Sequence, residues 1–198
     1  MKRLLDVLLS LAALVVLSVP MMIFALMIKR EDRGPALFKQ KRVGIHKRHF
    51  DMYKFRSMKL STPHDVPTHL LENPEQYLLK CGKRMRKYSI DELPQIINIL
   101  KGDMSIVGPR PALWNQYDLI AEREKYGAND IRPGLTGWAQ INGRDELEIQ
   151  EKARLDGEYV ERESLMFDAR CVWRTVFSAA RHEGVVEGGT GELARKGR

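Results

Sequence analysis

The 198-residue chain has little cysteine: Cys81 and Cys171 stand 90 residues apart, with no Cys-x-x-Cys spacing. This excludes a disulfide framework and a cysteine-rich zinc site, and fits a reducing compartment. There is no internal repeat and no long linker. Neither a Walker A loop nor a Gly-x-Gly-x-x-Gly run is present, which argues against an ATPase, a kinase or a dinucleotide-binding fold. The histidines His46, His49, His64, His69 and His182 show no paired metal spacing and are read as solvated or structural. Charge of neither sign dominates: 33 Lys and Arg against 26 Asp and Glu give +7. With 43% hydrophobic and 30% charged residues, the chain is neither disordered nor collagen-like. A mean hydropathy of −0.37 excludes a polytopic membrane protein.

That average hides one apolar segment. Residues 7–28, VLLSLAALVVLSVPMMIFALMI, are 22 residues without a charge. As a straight helix they reach about 33 Å, against a bilayer core of about 30 Å. No small-x-small site precedes Lys29, so a cleaved signal peptide is disfavoured. Pro20 lies inside the run, where it removes a backbone hydrogen bond. Lys2 and Arg3 flank one end and Lys29 and Arg30 the other, so both flanks look cytoplasmic. The residues leave a spanning and a re-entrant helix both open. Asp6 at the base belongs at the interface, paired with a nearby Arg or Lys. At the other end, residues 184–198 are glycine-rich and aperiodic and read as a mobile tail.

Residues 29–59 hold eleven Lys or Arg and three Asp or Glu, a local charge of +8 beside the apolar segment. This suits a solvated basic surface, anionic lipid headgroups or phosphorylated substrates. No recognition-helix, zinc-finger or RNA-binding motif accompanies the charge, so nucleic acid is not expected as a partner. Residues 36–44 and 49–58 predict a hairpin, 61–74 a proline-rich loop, and 75–82 a short helix. Helices are also expected over 89–101, stopped by Gly102, and over 111–126, 146–161 and 165–181, with 131–144 a loop holding a short extended piece. The stripe Leu165, Ala169, Val172, Trp173, Val176, Phe177 and Ala180 makes the last helix either core-facing or an in-plane membrane helix. Trp114, Trp138 and Trp173 read as core or membrane-interface residues.

The richest stretch is RKYSIDELPQIINILKGDMSIVGPRP, Arg86–Pro111. Ser89 and Glu92 have capping-box spacing, which places Asp91 and Glu92 in a first helical turn. Acids there commonly do no more than complement the helix dipole. Here Arg84, Arg86 and Lys87 precede them and Arg110 follows, held between Pro109 and Pro111. A carboxylate at a helix start beside arginines has its ionised form favoured, available as nucleophile or magnesium ligand. Guanidinium forks match phosphate oxygens. The pattern points to phosphoryl transfer, with Mg²⁺ held by few carboxylates and the substrate. The extended run Ser105–Val107 must turn the chain back for Arg110 to reach the dyad.

Taken together, KRLLD (2–6), GPALFKQKRVG (34–44), YKFRSM (53–58), the 86–111 run, RPGLTGWAQINGR (132–144) and LDxxYVExxSLxxD (155–168) resemble the bacterial sugar transferase family. Within it, the resemblance is to the small monotopic phosphoglycosyl transferases, PglC-like in size, over residues 2 to about 175. The resemblance implies an α+β, mostly helical fold. An N-terminal re-entrant membrane helix (1–28) would bend near Ser18 and Pro20. A small compact cytoplasmic catalytic domain (29–183), with a short β-hairpin and amphipathic interface helices, would precede the tail. It implies an enzyme of the bacterial inner (cytoplasmic) membrane, monotopic, with its active site on the cytoplasmic face. Such an enzyme moves a sugar-1-phosphate from a UDP-sugar to polyprenol phosphate, usually undecaprenyl phosphate, in the first membrane step of glycoconjugate or polysaccharide biosynthesis. Anionic lipid and downstream glycosyltransferases are further partners.

By resemblance the reaction is ping-pong: Asp91 forms an aspartyl-phosphosugar and UMP leaves. Glu92 helps hold Mg²⁺ or handles the acceptor's proton. Arg110 binds phosphate with Lys54 and Arg86 nearby, and Asp156, with Tyr159 close by, serves the nucleotide-sugar site. The glycines of Pro133–Gly137 are expected to turn backbone donors toward phosphate. The donor is either a UDP-N-acetylated amino-deoxysugar such as diacetylbacillosamine or a UDP-hexose. The alternative from another class is a membrane-anchored basic scaffold without catalysis.

Overall fold

The computed structural model describes residues 1–62, 74–143 and 147–181. Most of the expected 61–74 loop and all of the expected tail lie outside these residues.

The uncharged run, rich in Leu, Ala and Met, forms one helix, α1 (Lys2–Glu31), with Lys29 and Arg30 in the turn where the helix dipole favours cations. It is long and apolar enough to cross a membrane, and its middle, including Val15, Val16 and Val19, is exposed. The helix continues through Pro20. The Ser18 hydroxyl donates to the Val15 carbonyl at 2.8 Å, so it does not replace the bond to Val16 that Pro20 lacks.

Both ends of α1 meet the rest of the protein. At the first, Lys2 donates to the Val107 carbonyl (3.0 Å), to Asp168 (2.9 Å) and to the Tyr159 hydroxyl, while Arg3 donates to the carbonyls of Ile99 (2.6 Å) and Leu100 (3.0 Å). Asp6 is buried and has no Arg or Lys partner among the described residues; it accepts from the Ser105 hydroxyl (2.9 Å) and the Ile106 amide (3.1 Å). The expected cationic partner is replaced by neutral donors because the foot of α1 docks against a strand end, where such donors are available. At the second end, Ile28 packs with Phe55, Leu79 and Met85 in an apolar cluster.

The hairpin forms as expected. Strands β1 (Leu37–Val43) and β2 (His49–Phe55) pair antiparallel, with Phe38 opposite Lys54 and Arg42 opposite Phe50. The helix expected at 75–82 is displaced: a 3-10 turn spans Pro74–Tyr77 and α2 spans Lys80–Lys87. The carboxylate of Glu31 fixes the start of α2 by accepting from the amides of Lys80 and Cys81. Gly82 presses α2 against β2's exit; a Cβ there would meet the Ser57 carbonyl at 2.1 Å.

Helix α3 (Gln95–Lys101) ends where expected, with Gly102 in the left-handed conformation at φ 93°. Strand β3 (Ser105–Val107) returns the chain and pairs parallel with β4 (Gly134–Thr136). The expected 111–126 helix contracts to α4 (Tyr117–Glu124). The loop expected over 131–144 contains β4 and a one-turn helix, α5 (Trp138–Ile141). Helix α6 (Ile149–Arg162) follows the expected span closely, and α7 (Leu165–Arg181) matches it. Phe167 and Cys171 of α7 join Trp138, Leu155 and Tyr159 in a core cluster. The stripe led by Trp173 (66% exposed) and Val176 (62% exposed) faces outward, which overturns its core-facing reading. The fold is α+β and mostly helical.

Candidate active site

The dyad is built differently from a capping box. Ser89 is left-handed (φ 54°, ψ 23°) and makes no side-chain cap bond. The expected 89–101 helix is split into a 3-10 turn, Ile90–Glu92, and α3, with Pro94 at the start of α3, where a missing N–H costs no helical bond. Glu92 turns away from the backbone toward two cations. Its Oε1 accepts from Lys54 Nζ (3.0 Å) and Arg110 Nη2 (2.8 Å), and its Oε2 faces Arg110 Nη1 at 3.5 Å. Charge-assisted bonds of this kind outweigh a bond to a backbone amide.

Three separate segments therefore converge. β2 supplies Lys54, the 3-10 turn supplies Asp91 and Glu92, and the loop after β3 supplies Arg110. That loop is held from both sides. The Gly134 amide donates to the Pro109 carbonyl (2.9 Å), and Arg42 Nη1 donates to the Pro111 carbonyl (2.9 Å). The Gly134 amide is thus committed to backbone rather than turned toward a phosphate. Arg86 approaches from α2, its Nε donating to Ser57 Oγ (2.9 Å).

Cations lower both acids, but the net outcome is opposite. Burial opposes ionisation of Glu92, but the charge and hydrogen bonds of Arg110 and Lys54 outweigh it and hold its carboxyl well below the usual range. Burial raises Asp91, and the negative Glu92 adds to this; Lys54 and Arg86 offset only part of it. The expectation that Asp91 has its ionised form favoured is corrected. Asp91 lies in a 3-10 turn, 9% exposed, and loss of water outweighs the nearby cations. Burial likewise lowers Lys54, with Arg110 and Arg42 adding to the effect and Glu92 opposing it. Arg42, Lys54, Arg86 and Arg110 stand against two carboxylates, leaving an excess of two positive charges that suits a polyanionic ligand.

Asp156 and Tyr159 are not presented to a ligand. Asp156, 1% exposed, is paired with Arg123 at 2.6 Å (Nη2) and 2.8 Å (Nε) in the α4–α6 contact. Tyr159, also buried, places its hydroxyl among Lys2, Asp168 (2.6 Å) and the Val107 carbonyl (3.2 Å). Both are internal fastenings in this structure, where burial leaves neither open to a ligand. Arg42 was missed by the sequence reading. The hairpin register contains its signal, since alternation puts residues 38, 40 and 42 on the face that carries Lys54.

Among the described residues, no group of three or more His, Cys, Asp or Glu side chains could hold a metal ion. Both Glu92 oxygens face cations, so Glu92 does not fit as a magnesium ligand in this arrangement. Asp91, whose carboxylate makes no such ion pair among the described residues, fits as the single protein ligand of an ion otherwise held by phosphate oxygens and water.

The chain matches the family described as bacterial sugar transferase over residues 1–182. It is 39% identical over 185 residues to an uncharacterised sugar transferase, EpsL, of Bacillus subtilis (strain 168), covering 93% of this chain and 90% of the relative. It is 38% identical over 190 residues to the UDP-glucose:undecaprenyl-phosphate glucose-1-phosphate transferase of Escherichia coli (strain K12), covering 89% of this chain and 39% of the relative. Identity to the undecaprenyl-phosphate galactose phosphotransferase of Salmonella typhimurium (strain LT2) is 33% over 198 residues, covering 93% of this chain and 41% of the relative. The chain thus spans about two-fifths of the length of these last two relatives and nearly all of the first. On the whole-chain match and these identities, the chain belongs to the bacterial sugar transferase family.

Proposed function

We propose that this protein transfers a sugar-1-phosphate from a UDP-sugar to a polyprenol phosphate at a membrane surface, through a covalent intermediate on Asp91. The observation that carries the reading is the divided dyad. One acid is neutralised by two cations, and its neighbour is buried at the edge of a cluster with excess positive charge. In the first step an Asp91 oxygen attacks the β-phosphorus; the bond to the bridging oxygen breaks and UMP leaves with that electron pair. In the second, a polyprenol phosphate oxygen attacks the same phosphorus and the bond to Asp91 breaks, regenerating the carboxylate. Arg110 and Lys54, already positioned on Glu92, hold the donor diphosphate, and Arg86 adds charge from the other side. Magnesium, when bound beside Asp91, supplies further neutralisation of the diphosphate.

Membrane attachment through α1 belongs to the same proposal, with the helix entering and leaving on one face. A spanning helix would put its two ends on opposite sides of a bilayer core of about 30 Å. Here Lys2, Arg3 and Asp6 at one end and Ile28 at the other all bond or pack to the same catalytic domain. The outward stripe of α7 supports an in-plane helix at that surface. Presenting UDP-sugars one at a time and measuring UMP release tests the reading. The productive sugar should leave a phosphosugar on the Asp91 peptide when acceptor is withheld. UMP release without any adduct on Asp91 would remove the covalent step. A cysteine at position 2 should be labelled only from the cytoplasmic face.

A further inference from the structure

A second charged site lies on the far side of α2 from the dyad. Between α1 and α2 is a cleft of about 540 Å³. Phe24, Met27 and Arg30 enter it from α1, spaced by three and therefore on one helical face; Lys80 and Arg84 enter from α2, spaced by four. The cleft sits where the apolar run ends, at Ile28, and the basic flank begins, so its floor is hydrocarbon-like and its rim cationic. Glu31 also lines it, but both of its oxygens already accept the Lys80 and Cys81 amides. Arg30 and Arg84 form no salt bridge among the described residues. An apolar floor under three cations and one amide-bound carboxylate, a net positive rim at headgroup depth, matches a phosphate diester attached to an acyl chain.

We propose that this cleft binds the headgroup of an anionic phospholipid, as a lipid site separate from the reaction centre. Helix geometry gives the separation. At about 100° per residue, Arg84 and Arg86 point roughly 200° apart on α2. Arg84 faces the cleft, whereas Arg86 faces Ser57 and the dyad. A phosphate in the cleft therefore has α2 between it and Asp91 and does not react. The helix between them is wedged: Gly82 leaves no room for a Cβ against the Ser57 carbonyl, and Met85 is buried. A headgroup that draws Arg30 toward Lys80 and Arg84 pins α2 to α1, and with it the start of the segment that carries Arg86 and the dyad. The inference rests on the membrane attachment proposed above, but not on the chemistry at Asp91.

The test uses the full chain in nanodiscs of phosphatidylcholine, alone or doped with phosphatidylglycerol, released into native mass spectrometry. One phosphatidylglycerol should stay bound to the wild type. The double variant Lys80→Gln/Arg84→Gln should retain it roughly thirtyfold less, about 2 kcal/mol at about 1 kcal/mol per cation. The charge-conserving Arg84→Lys should keep it. A control, Lys39→Gln/Lys41→Gln, removes the same charge from exposed positions on β1 and should leave retention unchanged. UMP release by the cleft variants in pure phosphatidylcholine should match the wild type. Equal loss in cleft and control variants would mean diffuse attraction and overturn the site. Stoichiometric displacement of phosphatidylglycerol by a polyprenyl phosphate would make the cleft an acceptor site and overturn it too. If phosphatidylglycerol is retained but no UDP-sugar yields UMP, the chemistry proposed for Asp91 fails while the cleft stands.

Discussion

Two buried clusters of acids and arginines sit in this protein and do opposite things. The Asp156–Arg123 pair is closed: one acid, one guanidinium, two bonds, both side chains almost without exposure. The Asp91–Glu92 cluster is open: two acids face four cations, and the Arg110 side chain keeps 30% of its surface exposed. A matched pair inside a protein satisfies itself and leaves nothing for a ligand. A mismatched cluster with a mouth holds excess charge, which a phosphate can neutralise. The distinction lies in stoichiometry and access, since both clusters contain the same residue types.

The largest effect that separates them comes from removing one carboxylate in each. Asp91→Asn keeps shape but not nucleophilicity and should lower UMP release by at least about a hundredfold, about 2.7 kcal/mol of barrier. Its thermal unfolding should stay near wild type. Asp156→Asn should behave inversely. It leaves Arg123 buried with a weakened partner and should cost up to about 3 to 5 kcal/mol of stability, read by denaturant unfolding. Activity per folded molecule should persist. If Asp156→Asn proved stable and inactive, the closed pair would belong to the site after all.

A smaller effect concerns Arg110. Arg110→Lys preserves charge but loses the fork that meets both oxygens of Glu92, and should lower kcat/KM by about tenfold to a hundredfold. Steady-state kinetics at saturating acceptor would show it, and a variant as active as wild type would reduce Arg110 to a diffuse charge.

The smallest effect is a shift in pH dependence. Asp91 must be ionised to attack, and burial raises it, so the acid limb of kcat/KM should lie above the range of an ordinary aspartate. Lys54 lowers Asp91 and Glu92 raises it. Lys54→Met should therefore move the limb to higher pH and Glu92→Gln to lower pH, whatever each does to the maximal rate. Movement of both limbs in the same direction would break the assignment of that limb to Asp91.

The legible parts of the fold were those set by neighbours in sequence. The hairpin, the Gly102 stop, the Ser105–Val107 return and the span of α7 follow from alternation, a left-handed glycine and helical period. The Ser89 capping box was not legible as false, because the competitors for Glu92 lie 38 and 18 residues away. The start of α2 was misplaced because its amides are satisfied by Glu31, 49 and 50 residues upstream. At the candidate site, the convergence of Lys54 and Arg110 on the Asp91–Glu92 turn was readable. The direction of the Asp91 shift was not, since it depends on how much water the fold removes. For Asp156 and Tyr159 the sequence does not show their burial, since their partners Arg123 and Lys2 lie 33 and 157 residues away.

The foot of α1 also bears on the order of assembly. Arg3 and Lys2 precede their partners by 96 and 166 residues. During synthesis at roughly 5–20 residues per second, the apolar helix therefore waits for many seconds with Lys2, Arg3 and Asp6 unengaged. The entropic cost of closing so long a loop grows slowly, by about 0.6 kcal/mol per doubling, so the delay is set by translation more than by the search. Fastening is staggered: Arg3 and Asp6 can engage once residues 99–106 are made, whereas the Lys2–Asp168 ion pair waits longest, so a ribosome stalled before Asp168 should expose a helix foot held without that pair.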